Sequence, residues 1–528
     1  MYHGARFLLA IVISLGIFFR VVNLDQKIVD CDECITQVRA AAYETHQGKS
    51  VEQAVQRDRV VIPEEMARFQ RINAESSAIG TIKVTATGAP QHPPFYWLLI
   101  RFWMQAFGNS VSAIRSLSVI FSILAFPALY WLCWELFGAT AVGWIAIALV
   151  AVSPVHIFQA QNARPYSLWI LLILVSSAAL LRALRKGRKL DWVVYGIALA
   201  LSLYTYLFSI FVLISHGVYV VIRQGLRKSK GLSAYLLTSG LVILIFSPWI
   251  LVVLLNFRTA NEMTSWTGDP VDSKIDLIWS WVKNLADIFW FWNVQLGSLL
   301  SLTEPLFVFS VGTALAVLVI YAFYFLWRHS SKKEWVFLFA LTSVTILTLI
   351  GADLVLGGRR SALGRYVYPS VLGIQISVAY LLAMKSDRSI FWRVTIVTLL
   401  SCGVLSCAMS VQTERWNGDK DFGFQSARII NQTIHPLVIS DDNIVCVLMP
   451  LNTQLSPDTS WIFVSKPDRI VIPAEFSNVF LYNASDELQL QLEKRYKFKP
   501  VYQYSYPGSF IWKAPPTSIL WKLETFQK

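Results

Sequence analysis

Charge is scarce in this chain. Only 15% of its 528 residues are charged while 55% are hydrophobic, and the mean hydropathy is +0.50. Ordinary soluble domains carry about a quarter charged residues, so an ordinary soluble globule is excluded as the starting class. Cysteine is also sparse: six scattered residues exclude the disulfide scaffold of small secreted domains. No small-residue cleavage site follows the apolar run that begins at Phe7 after Arg6, so that run reads as a retained first helix rather than a removed signal. Internal repeats and low-complexity tracts are lacking too.

What the chain does have is long apolar runs. A membrane-spanning helix needs about 20 largely apolar residues, and eleven segments approach or exceed that: 7–24, 111–132, 141–157, 166–181, 191–207, 209–222, 233–255, 305–327, 335–356, 366–384 and 391–410. The formal net charge of +13 does not call for nucleic acid, because the bases fall in short clusters between these runs. Lys- and Arg-rich loops stay on the cytoplasmic side. Clusters at 182–189, 223–230, 328–333 and 385–393 all face inward if the N-terminus is inside. The outer segments are then 25–92, 158–165, 204–209, 257–304, 357–365 and 411–528.

The expected class is an all-α polytopic membrane protein of about eleven transmembrane helices, residues 1–410, with a long first outer loop over 25–92. A helix over 93–107, opened by Pro93 and Pro94, is expected at the outer surface. Trp279, Trp281, Trp290 and Trp292 suggest another interfacial helix within 257–304. Residues 411–528 balance twelve acids with twelve bases and read as a small extracytoplasmic α/β domain. Its expected strands lie at 444–449, 462–464 and 479–482, with helices at 421–434 and 485–495.

Residues able to do chemistry gather at outer helix ends. Asp30-Cys-Asp-Glu-Cys34 follows the first helix, offering carboxylates for general-base or metal-ligand work, or a charged helix exit. Cys31 and Cys34 can close a disulfide or remain two thiols. Arg164 and Tyr166, then Arg359, Arg360, Arg365 and Tyr366, begin later helices. An Arg there either anchors at the interface or presents its planar fork of donors to phosphate oxygens. Arg359 is expected only to face the headgroups. His92 and His156 also sit at outer ends, as structural residues or as contacts to substrate.

Four features occur in order: the Asp-Glu pair after the first helix, His92-Pro-Pro before an apolar helix, Ser153-Pro through Arg164-Pro-Tyr166, and Arg365-Tyr-x-x-Pro369. Together they resemble the dolichyl-phosphate-mannose:protein mannosyltransferase family, glycosyltransferase family 39, and its bacterial relatives, the lipid A aminoarabinose transferases, within the GT-C fold. The resemblance covers about 1–410. It implies transfer of a sugar from a polyprenyl-phosphate donor, at the outer face of the plasma (inner) membrane, to an acceptor protein or glycolipid. It places Asp32 as catalytic acid-base residue with Glu33 beside it. His92, His156, Arg164, Tyr166, Arg360, Arg365 and Tyr366 become candidates for binding lipid phosphate and sugar. A divalent metal ion near Asp32 is a further expectation. Many relatives carry Glu where this chain has Asn162, and Glu64, Glu65 or Glu75 are candidates to substitute. The rival class is a transporter or flippase of polyprenyl-linked sugars.

Overall fold

The computed structural model describes residues 3–43, 51, 55, 58–74, 76–225, 229–271, 273–291, 304–414, 423–504 and 518–526. Glu75 and Trp292 lie outside them. In place of a single cut at 410, the chain forms two compact units, neither continuous in sequence. One comprises Met1–Leu24, Pro90–Tyr96 and Arg115–Trp416, and the other Asp25–Ala89, Trp97–Ile114 and Asn417–Lys528.

The first unit is helical. The expected apolar runs appear as His3–Val21, Val111–Phe137, Thr140–Ala151 with Pro154–Ala160, Tyr166–Lys186, Lys189–Thr205, Ser209–Gln224, Lys230–Leu255, Glu304–His329, Lys332–Leu356, Tyr368–Lys385 and Ile390–Gln412. Among the described residues six helices are long and apolar enough to cross a membrane, or seven if one bent pair is a single span, in place of the eleven expected. Ser209–Gln224 illustrates the difference. Its 16 residues rise about 24 Å at roughly 1.5 Å each, short of the ~30 Å hydrocarbon core.

The run expected as one span at 141–157 is broken, and its halves meet at 65°. Pro154 opens the second half, where its missing N–H costs nothing, but it cannot continue the first half's ladder. The break is pinned from several sides. Arg20, fully buried, donates to the carbonyls of Ala151 at 2.6 Å and Val150 at 3.0 Å, and to Ser122 Oγ at 2.8 Å. Ser153 Oγ donates to the Ile288 carbonyl at 2.6 Å.

The second unit is built on a six-stranded sheet in the order β1-β3-β2-β4-β6-β5, with β1 Val60–Val61, β2 Pro436–Ser440, β3 Ser460–Phe463, β4 Asn478–Tyr482, β5 Tyr496–Tyr504 and β6 Ser518–Phe526. The central strand β2 runs parallel to β3 and β4, and the outer pairings are antiparallel. Every residue of β2 is buried, as expected of a strand covered on both faces. One face packs Val438, Trp461 and Phe480 against Val29, Cys34, Val38, Met66 and Phe69. The first loop thus folds with the C-terminal segment because its apolar residues complete that core. The other face packs Leu437, Ile439 and Leu481 under Leu488 and Leu492, on the helix Asp486–Glu493.

Two expectations are corrected here. Residues 444–449 are β-branched enough to read as a strand but coil instead as a π-helical turn, Ile444–Leu448, with Asn443 Oδ1 accepting from the Cys446 N–H at 2.8 Å. Cys31 pairs with Cys446, 415 residues away, rather than with Cys34, which is buried and outside any disulfide.

Candidate functional site

In the second unit, Asp32 and Glu33 stand in the first turn of the helix Cys31–Ala40. Asp30 caps that helix, accepting the Glu33 N–H at 2.8 Å, and carboxylates in a first turn are favoured by the helix dipole. Asp32 is half-buried and Glu33 buried. Of the acids considered in place of Asn162, Glu65 is paired with Arg59 at 2.6 Å, whereas Glu64 is exposed. Among the described residues no group of three His, Cys, Asp or Glu side chains is placed to hold a metal ion.

In the first unit, Arg164 and Tyr166 are buried at the start of the helix Tyr166–Lys186, and Arg365 and Tyr366 lie half-buried just ahead of Tyr368–Lys385. An arginine ahead of a helix N-terminus opposes the dipole. An anion bound there would be attracted by the cation and by the positive end of the helix together. The two segments meet at an aromatic cluster. Tyr206 lies 5.6 Å from Tyr166, 4.7 Å from Trp169 and 6.4 Å from Tyr366, centroid to centroid. Tyr368 lies 6.2 Å from both Tyr166 and Trp169. Burial, and then the neighbouring phenols of Tyr166 and Tyr366, hold the Tyr206 phenol well above its ordinary range, and the guanidiniums of Arg365 and Arg164 offset part of that. The structure therefore brings Arg164, Tyr166, Arg365 and Tyr366 to one place.

Trp266 joins this cluster. The guanidinium of Arg365 lies over its indole at 5.3 Å, and that of Arg359 at 5.7 Å. Arg359 does not face headgroups: it is buried, donating to the Trp266 carbonyl at 3.0 Å and to Asp269 at 3.1 Å. Arg360 is tied to the buried Asp353 at 3.1 Å and to the Gly357 carbonyl at 2.7 Å. These bonds need the chain to turn sharply. Gly358 has φ of +115°, and a Cβ there would lie 2.7 Å from the Thr267 carbonyl oxygen.

The helix Lys274–Asp287 braces the same loop, with Trp281 Nε1 donating to Ser361 Oγ at 2.9 Å and Asn284 Nδ2 to the Ala362 carbonyl at 2.8 Å. Burial pushes the Asp287 carboxyl above its ordinary range, and the Lys283 ammonium, 2.8 Å away, partly offsets that. His156 is buried, its Nε2 2.9 Å from Gln375 Oε1, which ties two helices together. His92 is half-buried just before the helix Phe95–Phe107.

Sequence reasoning missed Tyr206, Trp266, Trp169 and Tyr368. The first lies in a tip and the second in a loop without motif, but Trp169 and Tyr368 each stand within three residues of a named candidate. That proximity was a usable signal.

This arrangement is set in the GT-C glycosyltransferase fold. Residues 91–251 match the model of a family described as dolichyl-phosphate-mannose-protein mannosyltransferase. That stretch holds His92, Arg164, Tyr166 and Tyr206, while Arg365 falls beyond it. Among solved structures, the chain resembles ArnT from Cupriavidus metallidurans in the apo state, with 12% identity over 98% of each chain and a TM-score of 0.52. It also resembles the same protein bound to undecaprenyl phosphate, with 11% identity over 97% of each chain and a TM-score of 0.51. The oligosaccharyltransferase of Archaeoglobus fulgidus, tethered to an acceptor peptide, aligns at 12% identity over 97% of this chain and 74% of its own, with a TM-score of 0.48. No curated protein sequence matches the chain.

Proposed function

We propose that the protein is an integral membrane glycosyltransferase that moves a sugar from a polyprenyl-phosphate donor to an acceptor at the outer face of the membrane. One observation carries this reading: two arginines 201 positions apart in sequence, each just ahead of a helix N-terminus, stand beside tyrosines, Tyr166 and Tyr366, that both pack against the ring of Tyr206. Two guanidiniums, each just ahead of a helix N-terminus, suit a phosphate, and the aromatic rings beside them suit an apolar chain and a sugar face. The neighbouring ArnT structure bound to undecaprenyl phosphate supports a donor of that class.

The chemistry is a single displacement. The family resemblance gives Asp32 the role of accepting the proton of the attacking acceptor group, whose new bond forms to the anomeric carbon. The bond from that carbon to the phosphate oxygen breaks, and Arg164 and Arg365 hold the negative charge that develops on the departing polyprenyl phosphate. One displacement inverts the anomeric centre, as in inverting glycosidases.

The outer-face assignment rests on the basic clusters and on the Cys31–Cys446 disulfide, a bond that persists in oxidising compartments. The transport reading is less well supported. Transporters carry broken helices in matched pairs near the midplane, and a single bent pair is found among the described residues. Incubation of the purified protein with a panel of radiolabelled polyprenyl-phosphate sugars tests the proposal. Release of polyprenyl phosphate coupled to acceptor labelling is expected. Movement of labelled lipid across vesicles without bond cleavage would replace it with the transport reading.

A further inference from the structure

Three arginines crowd the turn between the helices Lys332–Leu356 and Tyr368–Lys385. Arg359 and Arg360 are each paired with a carboxylate, Asp269 and Asp353, both at 3.1 Å. The guanidinium of Arg365 lies over two rings, 5.3 Å from the Trp266 indole and 5.7 Å from the Tyr366 phenol. The two kinds of contact leave a guanidinium in different states. An ion pair neutralises its charge and occupies its N–H groups. An aromatic face attracts the same cation through its quadrupole and leaves both available. Trp266 is half-buried in the turn Ser265–Gly268, and its backbone is anchored. Its carbonyl accepts from Arg359 Nε at 3.0 Å, and the next carbonyl, that of Thr267, accepts the Arg359 N–H at 2.9 Å. Thr267 Oγ1 donates to the Thr264 carbonyl at 2.8 Å, which closes the turn. These bonds hold the indole in place without involving the ring itself.

From this we infer that Trp266 is the positioning residue for Arg365: its indole fixes the guanidinium ahead of the helix Tyr368–Lys385 and leaves the charge and the fork of donors to the donor phosphate. An arginine side chain free to rotate loses that freedom when it grips an anion, and one already held by a ring loses less. Arg359 then has a role through Trp266 rather than on the phosphate. It is spent on Asp269 and on two carbonyls of the turn, and so it sets the platform on which Arg365 rests. The inference rests on the proposed function and adds to it a residue outside every motif read from the sequence.

Equilibrium binding of radiolabelled polyprenyl phosphate to full-length protein in nanodiscs tests it, with wild type compared to Trp266→Leu, Trp266→Phe, Arg365→Lys and the double variant Trp266→Leu with Arg365→Lys. Trp266→Leu removes the ring and keeps the backbone bonds to Arg359, so affinity is expected to fall about tenfold with the thermal melt unchanged. Trp266→Phe keeps an aromatic face and should recover most of that affinity. The double variant should bind no more weakly than Arg365→Lys alone, because both changes disable one guanidinium. Undiminished binding by Trp266→Leu, a Trp266→Phe as weak as Trp266→Leu, losses that add in the double variant, or a loss of binding matched by an earlier melt would each overturn the assignment. A wild type that binds no polyprenyl phosphate would sink the proposed function and this role with it, whereas wild-type binding that Trp266→Leu leaves intact sinks the role alone.

Discussion

Arg20 and Gln161 cap one another's helices. Arg20, on His3–Val21, donates to the carbonyls of Val150 and Ala151 at the end of Thr140–Ala151. Gln161, just past the second half of that broken helix, donates back to the carbonyls of Phe19 at 2.7 Å and Val22 at 2.8 Å. Approach is close enough that a Cβ on Gly16 would lie 2.4 Å from the Ala151 oxygen. Hydrogen bonds to a charged donor contribute about 1.5–3 kcal/mol each, and the carbonyls left behind are not rehydrated in this interior. Arg20→Met should therefore lower stability by roughly 3 kcal/mol or more, seen as an earlier thermal melt in detergent. A melt equal to wild type would show that the capping contributes nothing.

The disulfide gives a second expectation. Peptide mapping without reductant should recover the segments around Cys31 and Cys446 joined, with Cys34 alkylatable only after unfolding. Cys446→Ser should cost about 2–5 kcal/mol. Recovery of a Cys31–Cys34 link instead would contradict the pairing.

How much of this was legible beforehand depended on range. Apolar runs report helices locally, so their positions emerge from sequence, and so do the strands at 460–463 and 478–482. The break at Ser153–Pro154 was hidden because the residues on either side are equally apolar and only Pro154 interrupts them. Residues 444–449 were misread because β-branched composition favours strands, while Asn443 and the packing of Leu448 and Met449 in the core decide for a coil. The Cys31 partner lies 415 residues away, beyond any spacing rule. Of the candidate site, Arg164, Tyr166, Arg365 and Tyr366 were named from their place at outer helix ends and from the family resemblance. Arg359 was misassigned because its partners, Trp266 and Asp269, belong to a loop some ninety residues earlier.

That burial reverses the expectation for Arg359. A lysine cannot donate to the Trp266 carbonyl and Asp269 together in the planar geometry a guanidinium offers. Arg359→Lys should destabilise the protein by about 1–3 kcal/mol, with donor binding affected only through that loss. A silent Arg359→Lys, by melt and by activity, would restore the headgroup reading.

Asp32→Asn should leave folding intact, because Asp30 rather than Asp32 caps the helix, while lowering turnover about 10²–10⁴-fold. Turnover close to wild type in that variant, checked by initial rates at saturating donor, would transfer the base to Glu33 or elsewhere.

The central claim is that Arg365 grips a lipid-linked phosphate, and donor binding with a single conservative swap addresses it most directly. Arg365→Lys keeps the charge and removes the fork, so interfacial anchoring would tolerate it and phosphate recognition would not. Equilibrium binding of radiolabelled polyprenyl phosphate to wild-type and Arg365→Lys protein in nanodiscs is the measurement. The expected result is affinity reduced tenfold or more, with insertion and melting unchanged. Equal affinity in the two proteins would contradict the account.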